Sequence, residues 1–203
     1  MNSVELWISR LAALGAVIIF ALPLINLFRS RDVSRGRSSG SQTVVLRWPV
    51  ILLITIAVIA AGVVLWKPIP LTTNPSDELA YAIIGAALYF PGLTLYLWGY
   101  LTLGSMFGVS SAMGAELYEG HRLVKSGPYR YVRHPMYLGV CLAAFGALLI
   151  FRTWTMLIFA PLMLALVIRA RREDNLLAAE FGDSWKAYAR QVSAWMPRTR
   201  PDG

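Results

Sequence analysis

The sequence has little of what marks most soluble enzymes. A single cysteine, Cys141, stands among 203 residues, which excludes an intrachain disulfide framework and a multi-cysteine metal site. The only two histidines, His121 and His134, lie far apart with no acid pair beside them, a poor set of metal ligands. The 16 glycines include no Gly-x-Gly pair, so no dinucleotide-binding fingerprint exists. A P-loop, a His-Glu-x-x-His helix and a Gly-x-Ser-x-Gly elbow are absent too. Charge is also scarce, at 15% of residues against roughly 25% in ordinary soluble domains. What fills the space is apolar: 57% of residues are hydrophobic and the mean hydropathy is +0.55. Disorder requires the opposite composition. The length suits one domain, or a membrane bundle of a few spans.

Five apolar stretches run along the chain. They are Leu11–Phe28, extended N-terminally by Leu6, Trp7 and Ile8, then Pro49–Trp66 and Leu79–Leu103, and finally Met136–Phe151 and Trp154–Ile168. The first three are long enough to cross ~30 Å of hydrocarbon at ~1.5 Å per residue. The last two reach only about 24 and 22 Å as straight helices. Only Arg152 and Thr153 separate them, so they read as a tight helical hairpin, with Arg152 snorkelling from its tip. Gly139, Ala143 and Ala147 recur at four-residue spacing, which suits close helix contact. Pro23, Pro91 and Pro161 fall inside spans, where they are tolerated as kinks. No small-residue cleavage site follows the first span, because Phe28 leads directly into Arg29-Ser30-Arg31; the span is expected to be retained as an anchor.

The net charge of +8 would suggest nucleic acid in a soluble protein, but here it follows topology. Of 19 Lys and Arg residues, 16 fall in segments 29–47, 104–135 and 169–203, which alternate across five spans. The positive-inside rule then places the N-terminus outside and the C-terminus in the cytoplasm, in an inner (plasma) membrane. The segment 29–47, rich in Ser, Gly and Arg, reads as a flexible linker lying against anionic lipid. The fold class expected is an all-α integral membrane protein of about five transmembrane helices, the last two a short hairpin, with a cytoplasmic helical segment at the C-terminus.

Polar residues concentrate in two places. One is the stretch 116–137, with both histidines, Tyr118, Tyr129, Tyr131 and Tyr137, and a turn at Gly127-Pro128. Pro135 opens the fourth span, so His134 sits at a helix N-terminus, whose free N–H donors suit a polar or anionic ligand. The other is Arg169-Ala-Arg-Arg-Glu-Asp-Asn175, in which Arg169 and Glu173 share a face if the helix continues. A hairpin brings the start of one span to the end of the next, so His134 and Tyr137 should lie near Arg169 and Glu173. Plainer readings stand beside this pocket. Arg169, Arg171 and Arg172 suit a stop-transfer signal, Glu173 a solvated partner of Arg169, and Tyr118 and Tyr131 an interfacial aromatic belt.

At these residues the sequence resembles the isoprenylcysteine carboxyl methyltransferase family, within the wider group of membrane methyltransferases that includes phospholipid methyltransferases. The likeness rests on His121-Arg-Leu-Val124, Gly127-Pro-Tyr129 and Arg133-His-Pro-Met-Tyr137, followed in order by Arg169-x-x-x-Glu173, Phe181-Gly182 and Tyr188. It covers about the last hundred residues, whereas the first two spans share only a hydropathy plan. One departure is an acidic pair, often Glu-Glu, that here reads Glu173-Asp174. The resemblance implies that S-adenosyl-L-methionine binds in a cytoplasm-facing pocket. Its contacts would be His121, Arg122, Leu123, Val124, Tyr129, His134, Pro135, Met136, Tyr137 and Glu173. It implies Arg169 as the substrate-positioning arginine, and Arg169 and His134 as the candidate catalytic residues. Residues 1–103 would then form a three-span membrane region and 104–203 the cofactor-binding region of one domain.

The expected function is methyl transfer to a lipophilic substrate entering from the membrane lipid, with carboxyl O-methylation of an isoprenylcysteine-like acceptor first. A carboxylate is already ionised and needs no general base, which matches the missing acid–base constellation. A phospholipid amine or a thiol acceptor would need a proton removed, by His134 or a tyrosine. Two other classes stay open: a membrane reductase using NADPH, suggested by a distant likeness in the C-terminal hairpin, and a non-catalytic lipid-sensing protein. Neither nucleic acid nor a metal is an expected partner, and the oligomeric state is not encoded in any visible pattern.

Overall fold

A computed structural model describes residues 3–29, 48–71, 74–107 and 122–197. Among the described residues every regular element is helical: α1 (Ser3–Arg29), α2 (Trp48–Val64), α3 (Pro75–Leu103), α4 (Pro135–Phe151), α5 (Trp154–Leu162) and α6 (Leu166–Gln191). Short 3₁₀ turns occupy Gly104–Met106, Gly127–Arg130 and Met163–Ala165. Three helical stretches are long and apolar enough to cross a membrane, namely Ser3–Pro23, Ser76–Leu103 and the run Trp154–Gln191, and α4 is a shorter apolar helix. The 17 residues of α2 contain no charge. Of the expected hairpin, the first arm is continuous but the second is not. Pro161 lacks an N–H, the helix tightens into the 3₁₀ turn at Met163–Ala165, and α6 then carries on past Ile168 as far as Gln191.

The core is a three-helix contact of α1, α3 and α4 around Ala12, Tyr89, Ala143, Ala147 and Ile150. Two tyrosines seven residues apart on α3 fasten α1. Tyr89 Oη donates to the Ala12 carbonyl at 2.6 Å, and Tyr96 Oη to the Ile19 carbonyl at 3.2 Å. The second bond has a specific cause. Pro23 cannot donate to the carbonyl four residues before it, which is Ile19, and the Tyr96 hydroxyl supplies the missing hydrogen.

The α3–α4 contact is closer still. A Cβ on Gly92 would lie 2.7 Å from the Gly139 oxygen, and one on Gly146 would lie 2.6 Å from the Gly85 oxygen. Gly99 would meet the Met136 side chain at 2.6 Å. Glycines at seven-residue spacing on α3 thus face glycines at the same spacing on an antiparallel α4, and the backbones touch. Between lipid-immersed helices, where burial of apolar surface yields little, such contact is the main source of association. The stripe Gly139, Ala143 and Ala147 therefore does make a close helix contact, with α3.

At the opposite end from the polar clusters, the hairpin tip pairs with the chain after α2. Trp154 and Thr155 donate their N–H groups to Lys67 and Leu65, and Ile69 donates to Arg152. Arg152 takes a left-handed conformation (φ 47°, ψ 46°) and folds its guanidinium over the Tyr81 ring at 5.9 Å.

Adding a methyl group at Gly92 or Gly139 should push α3 and α4 apart. Gly92→Ala and Gly139→Ala are each expected to lower stability by about 1–3 kcal/mol, and Tyr96→Phe by about 1 kcal/mol, in thermal unfolding of the detergent-solubilised protein. A Gly92→Ala protein as stable as the parent would contradict the contact.

Candidate functional site

Opposite the hairpin tip, a cavity opens to solvent among the end of α3, the segment before α4, the start of α4, and α6. Its position follows from local sequence. Pro135 fills the first turn of α4 and is fully buried, setting His134 at the helix entrance, and Tyr137 follows half a turn later. On α6, Arg169, Glu173, Leu176 and Leu177 form one helical stripe facing the cavity. Gly182 then takes φ 50° and ψ −120°, a conformation that glycine adopts without strain, and the helix axis changes so that Trp185 and Tyr188 turn back to close the wall.

Three hydrogen-bonded groups hold these pieces together. Tyr137 Oη donates to Glu173 Oε2 at 2.7 Å, tying α4 to α6. Tyr188 Oη donates to the Tyr129 carbonyl at 2.6 Å, tying the end of α6 to the turn before α4. The third group centres on Asp174. Its Oδ2 accepts from Arg133 Nη2 at 2.9 Å and its Oδ1 bonds His134 Nε2 at 2.8 Å. Arg133 Nη1 donates to the carbonyls of Ala189 and Val192, both at 3.0 Å, capping the C-terminal end of α6 with positive charge. The main chain continues the link, since Arg133 and His134 donate their N–H groups to Ser193 and Ala194. The His134 ring, 5% exposed as a residue, lies between Tyr137 and Trp195, each with its ring centre 5.6 Å away.

The electrostatics follow. Burial pushes the Asp174 carboxyl up, but the bond and electrostatic pull of His134, joined by those of Arg133, outweigh it and hold the group below the ordinary carboxylate range. The Tyr188 phenol is pushed up to about 12, first by burial, with Asp174 adding to the rise and Arg133 opposing it. Burial, assisted by Glu173, raises the Tyr129 phenol further. Both phenols are therefore protonated at neutral pH. Arg169 holds its guanidinium carbon 5.4 Å from the centre of the Tyr137 ring, and its buried Nε has no hydrogen-bond partner within the protein.

Of the residues singled out in the sequence, Arg122, Leu123, Val124, Tyr129, His134, Met136, Tyr137, Arg169 and Glu173 line this one cavity. Pro135 is not in its wall but packs against Gly99 on α3. His121 lies outside the described residues. Leu103, Met106, Phe107, Leu176, Leu177 and Trp185, and the pairing of Asp174 with Arg133 and His134, were not signalled as parts of the site. The spacing 169, 173, 176, 177 was a helical signal for two of these. No local pattern signals Trp185, because the break at Gly182 resets the helical face.

The pattern of a family described as phospholipid methyltransferase matches residues 80–184, just over half of the chain. Over 118 residues the chain is 29% identical to the protein-S-isoprenylcysteine O-methyltransferase of Schizosaccharomyces pombe, an alignment covering 55% of this chain and 48% of that protein. Over 108 residues it is 35% identical to the cobalt-zinc-cadmium resistance protein CzcN of Cupriavidus metallidurans, covering 48% and 49% respectively. The chain spans about half the length of the curated relatives it matches. Among the described residues no group of three or more His, Cys, Asp or Glu side chains is placed to hold a metal ion.

The Arg133–Asp174 pair should hold the last turn of α6 and the segment after it in place. Arg133→Met is expected to cost about 2–4 kcal/mol and to open the chain between residues 189 and 197 to limited proteolysis. Because the folded Asp174 value is depressed, its contribution is complete above the unfolded value of about 3.9 and is lost as pH falls through the folded one. Melting curves from pH 6 to pH 3 should therefore show a steeper acid loss in the parent than in Arg133→Met.

Proposed function

Because the chain belongs to the phospholipid methyltransferase family, we propose that it is a membrane methyltransferase that uses S-adenosyl-L-methionine to methylate a lipophilic acceptor, with a carboxylate of the isoprenylcysteine kind as the group methylated. The observation that carries the reading is the pairing, in one cavity wall, of Glu173 with Arg169 and its unspent buried Nε. The wall combines apolar Leu123, Val124 and Met136 with a few convergent polar groups, the lining that a small organic ligand requires. Glu173, His134, Tyr129, Tyr137 and the segment 122–124 would hold the methyl donor, Glu173 by accepting from the donor's ammonium or hydroxyl groups. When bound, the donor supplies a methyl group on a positively charged sulfur, open to in-line attack.

The chain's own work is then to bind, align and keep water away. Arg169 offers a carboxylate acceptor a planar, permanently charged fork, and its Nε is a donor already desolvated and waiting for an acceptor oxygen. A cationic amine beside the same guanidinium would be repelled. The protonated state of Tyr129 and Tyr188 adds to this preference, since neither phenol can take a proton from an incoming amine or thiol at neutral pH. Leu176, Leu177, Leu103 and Phe107 supply apolar wall for the acceptor's tail. The distribution of 16 of 19 basic residues supports a cavity on the cytoplasmic side of the membrane, with the N-terminus outside.

Membranes containing the protein, incubated with donor labelled in the methyl group, should yield a labelled, base-labile ester in the lipid-soluble fraction. Arg169→Ala should lower its formation about 100-fold or more. Base-stable label would point to an amine acceptor, and saturable binding of NADPH without binding of S-adenosyl-L-methionine would sink the proposal.

A further inference from the structure

Asp174 lies in the acidic pair where this chain departs from the pattern it resembles, and it is absent from the cavity wall. Yet it joins two groups of that wall, Arg133 and His134. One carboxylate oxygen faces Arg133 and the other faces His134, so each has a separate partner. Two aromatic rings flank the His134 ring, Tyr137 on α4 and Trp195 on the terminal segment. Neither offers Nε2 a competing partner in the ring plane. An ionised carboxylate can only accept hydrogen bonds, so the nitrogen facing it must carry the proton. We propose that Asp174 is a positioning residue which fixes His134 with its proton on Nε2, leaving Nδ1 as the ring's acceptor, and does so in a wall that the same carboxylate locks through Arg133.

Arg133 makes this arrangement directional. Its guanidinium has donors only, and it is held in place by two backbone carbonyls and by the Trp185 ring 5.5 Å away. An amide at position 174 would have to turn its oxygen toward Arg133, since its NH2 group cannot face a guanidinium. The NH2 would then face His134 Nε2 and demand a lone pair there, moving the ring proton to Nδ1. A single change of one oxygen to nitrogen thus reverses the histidine's donor and acceptor ends while leaving volume and packing almost unaltered.

The measurement uses the full chain in detergent micelles with histidine ring nitrogens labelled with ¹⁵N. With two histidines in the sequence, His121→Gln assigns the remaining ring to His134. The native ring is expected to carry its proton on Nε2 with Nδ1 bare, and in Asp174→Asn to carry it on Nδ1. A native ring protonated at Nδ1, protonated at both nitrogens, or exchanging freely between forms overturns the proposal even if Asp174→Asn does not fold. So does an Asp174→Asn ring unchanged from the native one. The kinetic arm rests on the methyl-transfer reading. Asp174→Asn should lower kcat about 10- to 100-fold with the KM for the methyl donor changed less than about threefold, and Asp174→Glu should recover part of the loss. A loss of kcat that merely follows loss of folded protein, unrecovered by glutamate, assigns Asp174 a structural role and overturns the proposal. If the parent protein transfers no methyl group at all, the functional reading fails, while the ring spectrum still decides the role of Asp174.

Discussion

The carboxylate of Asp174 is the point on which the polar end of the molecule depends. It receives Arg133 at 2.9 Å and His134 at 2.8 Å, and through these neighbours in sequence it joins the entrance of α4, the middle of α6 and the segment that follows α6. Burying charge is costly, and an ion pair repays that cost only when the remaining donors and acceptors are also satisfied. Here most are, the buried Arg133 Nε excepted. Arg133 spends Nη1 on two carbonyls left over at the end of α6, and His134 is enclosed by aromatic rings. The network turns three separate stretches of chain into one wall, and the cavity exists because that wall stands against the end of α3.

The apolar end obeys a different constraint. Among lipid chains, helices gain little from hiding apolar side chains, so they must touch closely and leave no backbone group unpaired. Facing glycines on α3 and α4 meet the first demand, and the Tyr96 hydroxyl on the Ile19 carbonyl meets the second, where Pro23 would otherwise leave an acceptor bare. These contacts fix α4 along its length. Since His134, Met136 and Tyr137 all sit on its first turns, the rigidity of the membrane part sets the precision of the site.

The division of labour on α6 shows how the two ends meet. Its first half continues out of an apolar helix and carries Arg169 and Glu173 at the boundary between apolar and polar surroundings. A guanidinium and a carboxylate there act on a ligand with one polar and one apolar end, each held where it is comfortable. The bend at Gly182 returns the second half across the cavity, which replaces water on that side with Trp185 and Tyr188.

Much of this was legible in the residues alone. Apolar runs of sufficient length dictate helices, because lipid leaves the backbone no other partner. The two polar clusters stood out by contrast with everything around them, and a two-residue hairpin tip required them to meet. The helical stripe through Arg169 and Glu173 followed from periodicity. Other features depended on the folded chain. The glycines of α3 gain their meaning only once α4 lies antiparallel against them. Gly182 permits a turn, but only the folded chain shows that the turn brings Trp185 and Tyr188 back to the cavity. Asp174 is the clearest case. In the sequence it is the second member of an acidic pair one residue from the cavity-facing stripe, and its value comes from Arg133 and His134, forty residues away along the chain. Periodicity and composition act between near neighbours and so determined the helices and the two clusters, whereas a charge is satisfied only by a partner in space, and tertiary structure alone decided which partner that was.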